Sequence, residues 1–91
     1  MKLALRKTSQ FEKDVKRMVK RGMPIQELTA VIDLLLTQTP LPEKYRDHPL
    51  VGNYIGFREC HVQPDWLLIY TIHKQRLILT CMRTGTHNDL F

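Results

Sequence analysis

What is scarce in this 91-residue chain narrows its class before any motif is considered. Its two cysteines, Cys60 and Cys81, make neither a disulfide framework nor a zinc site by spacing. Each lies in an apolar strand-like run, where a free thiol is expected as a buried, inert side chain. No apolar stretch approaches the roughly 20 residues that a membrane helix needs. The first residues, Met1-Lys2-Leu3-Ala4-Leu5-Arg6-Lys7, break their apolar stretch before a signal-peptide core forms, so the chain is expected in the cytoplasm, away from membrane. Repeats, linkers and low-complexity segments are missing, and one domain over residues 1–91 with a modest core is expected. No HxH or HExxH pair fixes two metal ligands on one element, so neither metal nor other cofactor is expected.

Acidic residues are also short, 9 against 14 lysines and arginines, for a net charge of +5. The surplus points to an acidic partner, nucleic acid or protein. Most of the basic residues crowd into the first 21 positions, where Glu12 and Asp14 are the only acids.

Leu3–Lys7 reads as a short strand. Ser9-Gln10-Phe11-Glu12 has the form of a capping box. Behind it, Phe11, Val15, Met18 and Val19 make the stripe of an amphipathic helix, with Lys13, Lys16, Arg17, Lys20 and Arg21 roughly opposite. Gly22 closes this helix. Pro24 opens a second one, whose stripe is Ile25, Leu28, Val31, Ile32, Leu35 and Leu36, ended by Pro40 and Pro42. The short turn between them implies an antiparallel helical hairpin. Leu41–Asn53 is a polar loop. Three strand-like runs follow, Tyr54–Val62, Trp66–Ile72 and Leu77–Arg83, joined by turns at Gln63-Pro64-Asp65 and His73-Lys74-Gln75-Arg76. Trp66-Leu67-Leu68-Ile69-Tyr70 is apolar on both faces, as a central strand should be. The order βααβββ predicts an α+β domain, with the hairpin on one face of a mostly antiparallel sheet.

In such a meander, the end of the first of these strands, its turn and the end of the third share one sheet edge. His61, Asp65 and His87 should therefore converge there, while His73 sits in the opposite turn. His48 can fold back to the cluster, since six loop residues span roughly 20 Å, but the spacing does not require it. Three chemistries can use such a cluster. Zinc would take imidazoles and a carboxylate. A nucleophile would need a base beside it; Cys60 adjoins His61, but neighbours in a strand point to opposite faces. General acid–base work suits histidine at neutral pH. RNA cleavage fits this last inventory, because the 2′-OH of RNA is its own nucleophile. It needs a base, an acid and cations for the crowded phosphate charge. Arg58 and Arg83, with Lys44 or Arg46 from the loop, are the candidate cations, and Phe91 is a candidate platform for an unpaired base.

Three segments resemble the YafQ-type toxins within the larger RelE fold. They are Tyr45-Arg46-Asp47-His48-Pro49-Leu50, the run Arg58-Glu59-Cys60-His61-Val62-Gln63-Pro64-Asp65-Trp66-Leu67-Leu68-Ile69-Tyr70, and Arg83-Thr84-Gly85-Thr86-His87-Asn88-Asp89-Leu90-Phe91. The resemblance covers the whole length. It implies a RelE-like toxin that cuts messenger RNA in the A site of the 70S ribosome, against 16S rRNA, leaving a 2′,3′-cyclic phosphate. It carries catalytic roles onto His48, His61, Asp65 and His87, and a substrate role onto Phe91; Arg83 also matches a family position. It implies an acidic RelB/DinJ-type antitoxin, partly disordered until it wraps the basic surface. Operator DNA is then contacted only indirectly, through the antitoxin. The basic face of the first helix is expected to meet the ribosome. His87 is expected on a mobile tail as the general acid, with Asp65 or His48 as base and His61 positioning the phosphate. Competing readings are a non-catalytic RNA-binding module, a structural partner in an operator-binding complex, and a metal-dependent nuclease.

Overall fold

A computed structural model describes residues 2–91. Its elements run β1 (Ala4–Lys7), α1 (Ser9–Lys20), α2 (Ile25–Leu36), β2 (His48–Pro49), β3 (Arg58–Gln63), β4 (Trp66–His73), β5 (Ile78–Gly85) and α3 (His87–Leu90). The five strands form one sheet in the order β1-β5-β4-β3-β2. Only β1 runs parallel to its neighbour, β5, and the other pairings are antiparallel. The expected α+β architecture is therefore present, with one two-residue strand, β2, and one short helix, α3, added.

Both faces of the sheet are covered. On one, Phe11 and Met18 of α1 and Leu28, Val31 and Leu35 of α2 pack on Cys60, Trp66, Leu68, Tyr70, Leu79 and Cys81. On the other, Leu67 and Ile69 are buried with Leu90 of α3, under Leu50, Tyr54, Phe57 and Met82. β4 is thus enclosed on both sides, as its unbroken apolar run implied. Burying each such large side chain contributes on the order of 1.5–3 kcal/mol. No helix among the described residues is long and apolar enough to cross a membrane.

Several boundaries differ from expectation. The N-cap of α1 is Thr8, not Ser9: its hydroxyl accepts the Phe11 N–H at 3.0 Å and donates to Met82 O at 2.8 Å. The cap falls where one hydroxyl can also tie the helix to β5. Val19, expected in the apolar stripe, is 53% exposed, while Asp14 is fully buried. On a wheel of about 100° per residue Val19 lies at one margin of the stripe and Asp14 just beyond the other, next to Met18. The strand expected from Tyr54 begins only at Arg58, because Gly52–Tyr54 curl into a 3-10 turn and Gly56, at φ +94°, turns the chain before the sheet. The two-residue β2 and the four-residue α3 are too short to leave a periodic signal.

Candidate active site

Sheet register assembles the site. His61 on β3 faces Leu67 on β4, and Leu67 faces Gly85 on β5. The chain leaving Gly85 therefore emerges one strand away from His61, and the His61 and His87 rings stand 5.9 Å apart. On the other side β2 pairs His48 with Glu59, which brings the His48 ring to 6.3 Å from that of His61. His48, His61, Asp65 and His87 thus meet at one edge. His73 ends β4 at the opposite edge, where its Nδ1 accepts the Arg76 N–H within its own turn, at 3.2 Å.

His87 is not on a free tail. It is the first residue of α3, which Thr86 caps: the Thr86 hydroxyl accepts the Asp89 N–H at 3.2 Å, and the Asp89 carboxylate accepts the Thr86 N–H at 2.9 Å. Arg21 of α1 grips the same carboxylate through two nitrogens, at 2.6 and 3.0 Å. The Arg21 bonds, opposed by partial burial and helped by Thr86, hold the Asp89 carboxyl below its usual range. A Cβ on Gly85 would stand 2.9 Å from the Asp89 side chain, so only glycine admits this close approach. The cation that anchors this segment comes from α1, far away in sequence, which is why the tail read as unrestrained.

Asp65 is already engaged with His87. Its Oδ1 accepts the His87 backbone N–H at 3.0 Å and lies 2.5 Å from the ring Nδ1. These backbone and side-chain bonds hold the Asp65 carboxyl below its usual range. Asp65 thereby sets the orientation of the imidazole and turns Nε2 away from itself.

Glu59 is the member of this cluster that the residue pattern did not single out. It is 5% exposed, and its Oε1 lies 3.3 Å from both His48 Nε2 and His61 Nε2. The signal was present in strand alternation, since Glu59 and His61 are two apart on β3 and share a face. The remaining ring nitrogens face backbone carbonyls, His61 Nδ1 toward Pro64 O and His48 Nδ1 toward Pro49 O, each at 3.2 Å. One ligand atom each from His48, Glu59 and His61 fits within 4.8 Å, a donor set that a divalent metal could take.

The expected cations divide into two groups. Arg58 is held by Asp47 at 3.0 and 3.4 Å, and the Tyr70 hydroxyl donates to the same carboxylate. Burial and the Asp47 bond both push the Tyr70 hydroxyl's pKa up. This clamp fixes the residue just before His48. Arg83 bonds buried Asp14 at 2.7 and 3.2 Å. Arg17 also bonds Asp14, at 2.9 Å, and Arg21 is taken by Asp89. On the basic face of α1, the charges without an ion pair among the described residues are therefore Lys13, Lys16 and Lys20. Lys44 and Arg46 are exposed on the loop, and neither forms an ion pair among the described residues.

Phe91 is 61% exposed, its ring 5.4 Å from that of Tyr54 in an edge-on contact. Cys60 and Cys81 are buried and unpaired. Burial pushes the Cys60 thiol up, and it pushes Cys81 to about 12, so both stay protonated at neutral pH. The site offers three imidazoles in succession, His87 beside the Asp65 carboxylate and His48 and His61 beside that of Glu59, and no activated thiol.

Known proteins give this geometry a context. The family model for the bacterial toxin YafQ of type II toxin–antitoxin systems matches residues 3–91. The mRNA interferase toxin YafQ of Escherichia coli K12 is 45% identical over 85 residues, covering 92% of this chain and 90% of that protein. The crystal structure of the E. coli DinJ-YafQ toxin–antitoxin complex superposes with a TM-score of 0.91 at 41% identity, over 100% of this chain and 99% of that one. A metal-bound toxin from Helicobacter pylori gives 0.92 at 45% identity, over 98% and 99%.

Proposed function

The chain belongs to the YafQ family of bacterial type II toxin–antitoxin toxins, and on that premise we propose that it is an endoribonuclease, an mRNA interferase, that cuts messenger RNA in the ribosomal A site. The observation that carries the reading is the succession His48, His61, His87, with rings 6.3 and 5.9 Å apart and Asp65 on the Nδ1 of the last. In-line attack by a 2′-OH needs a base and an acid on opposite sides of one phosphorus. His48 and His87 flank His61, which suits them to those two positions, with His61 on the phosphate between. His87 acts as the acid through Nε2, and Asp65 holds the opposite nitrogen. Asp65 is thus an orienting group for His87 in preference to an independent base. Phe91 supplies a face for a base, a contact worth about 1–3 kcal/mol. Lys13, Lys16 and Lys20 supply the charge for ribosomal RNA. An acidic antitoxin is the partner that would silence the toxin; YafQ of E. coli forms a toxin–antitoxin complex with DinJ.

The test is cleavage of end-labelled messenger RNA, with and without programmed ribosomes, by the native chain beside His87→Ala. Cutting on ribosomes alone, reduced at least a hundredfold (roughly, for a lost catalytic proton donor) in the variant, is the expected result. No cutting under either condition would turn the chain into an RNA-binding module. The grouping of His48, Glu59 and His61 favours one second reading, a metal-dependent nuclease. Activity that a chelator abolishes and added divalent cation restores would select it.

A further inference from the structure

Beside the histidine row lies an open groove of about 740 Å³, walled by the start of α2, by the loop at residues 44–46 and by the β3–β4 turn. Its charge and its position are both informative. Lys44 and Arg46 line one wall, exposed and outside every ion pair among the described residues. Arg46 sits at φ +47°, a left-handed backbone that ends the 3-10 turn Glu43–Tyr45. His61 and Pro64 line the same groove, so it opens directly onto the catalytic row. Across from the cations, Gln26 presents a side-chain amide with no partner among the described residues. The acidic residue on this wall, Glu27, is engaged at 2.8 Å by the Gln63 amide.

We propose that this groove holds the nucleotide adjoining the scissile phosphate, with Lys44 and Arg46 on its backbone phosphate and Gln26 on its base edge. The inference rests on the reading of the chain as an RNA-cutting enzyme and deepens it by assigning a second subsite. The occupant follows from chemistry. Two cations outside any ion pair among the described residues, Lys44 resting over the Tyr45 ring at 5.0 Å and Arg46 beside it in sequence, fit a phosphate diester. An amide that sets an NH2 donor beside an acceptor oxygen fits the edge of an unstacked base, the form in which proteins read single-stranded RNA. Continuity with His61 places the occupant next to the bond being cut.

The experiment is a coupling cycle between protein and substrate, on programmed ribosomes, with the full-length chain. One partner is Lys44→Ala combined with Arg46→Ala; both residues are exposed, and circular dichroism checks the fold. The other is a messenger RNA carrying one uncharged methylphosphonate linkage, placed on either side of the cut in turn. Each change alone is expected to slow cleavage about tenfold, the usual loss for a charge-assisted contact. At one of the two linkages the combined loss is expected to stay near tenfold, because both changes remove one contact. Multiplication of the losses at both linkages would overturn the proposal and move these cations to ribosomal RNA or the antitoxin. Gln26→Ala should also flatten the base preference at that nucleotide by several-fold, and an unchanged preference would overturn the base-reading half. Failure of the native chain to cut at all is a separate result, which would bring down the enzymatic reading itself.

Discussion

Two buried carboxylates, one at each end of the site, meet their surroundings in opposite ways. Asp14, on α1, is fully buried and accepts from Gln10, Arg17, Arg83 and the Thr84 backbone N–H. Each of its donors is either a permanent cation or a neutral amide. The seam it makes continues inward, since Thr84 donates to Leu67 O at 2.7 Å and accepts the Trp66 indole N–H at 2.9 Å. Glu59, 5% exposed, faces two imidazoles at 3.3 Å and, among the described residues, forms no ion pair with a lysine or arginine. A buried charge matched by permanent donors is held whatever the protons do. One matched only by imidazoles has a neighbourhood that changes as protons move, which is what an acid–base site needs and what a structural bolt avoids. The α1–β5 seam therefore reads as framework, and the β2–β3 edge as working surface.

The largest effect that can break this comparison is at Asp14. Asp14→Asn removes the charge and turns one of two acceptor oxygens into a donor facing guanidinium groups, and breaking such a network is expected to destabilise by about 3 kcal/mol. Chemical denaturation of the native and variant chains measures it, and a loss below about 1 kcal/mol would sink the framework role. Acidity supplies the sign. Burial alone would raise the Asp14 pKa, but the bonds from Arg83, Gln10 and Thr84 outweigh it and leave the carboxyl below its ordinary 3.8. A depressed folded-state value contributes stability that is complete above the ordinary pKa and fades as pH falls through the folded one. The gap between native and variant should therefore hold from neutral pH down to about 4 and close in stronger acid.

Gly85→Ala should have the next effect. The new methyl would meet Asp89 at 2.9 Å, so either α3 shifts or the Arg21 grip loosens. Strain of this kind costs on the order of 1–3 kcal/mol. Displacing His87 by about 1 Å would cost about a hundredfold in rate. A variant that cuts at the native rate would show that α3 can move without moving the imidazole, and the tail would then be the loose element first expected.

How far the residues alone revealed this arrangement depends on how local each cause is. The two helices and the central strand were legible because Leu28, Val31, Ile32 and Leu35, or Trp66 through Tyr70, repeat one physical choice over many positions. The meeting of His61, Asp65 and His87 was legible because a meander leaves few ways to place strand ends. Asp14 was not, although a carboxylate bordering an apolar stripe demands partners once it is buried. Its partners Arg83 and Thr84 lie on the last strand, and Arg83 had been read as a cation for phosphate. The anchoring of α3 was hidden for the same reason: Arg21 belonged to a basic face in the sequence and to Asp89 in the fold. Arginines do not announce whether their charge is internal or external. Only the placement of a carboxylate decides it, and that is set by tertiary packing.

The smallest expected change in stability, and the sharpest test, is Glu59→Gln. Glutamine keeps the size and can fill the same buried position, and of the two imidazoles next to it His48 is exposed and His61 partly so, so unfolding free energy should move by less than about 1 kcal/mol. The chemistry should respond differently. Without the carboxylate each ring keeps only the backbone carbonyl at its Nδ1, the two Nε2 atoms lose their common partner, and misplacement of about 1 Å costs about a hundredfold. The outcome is a chain with native denaturation and cleavage slowed by about that factor, with the shape of its pH–rate profile altered. Asp14→Asn, compared at a temperature where it remains folded, should keep the native pH profile, since Asp14 touches none of the three imidazoles. If Glu59→Gln instead unfolds the chain while cutting normally below its melting point, the two carboxylates are of one kind, and the β2–β3 edge is framework as well.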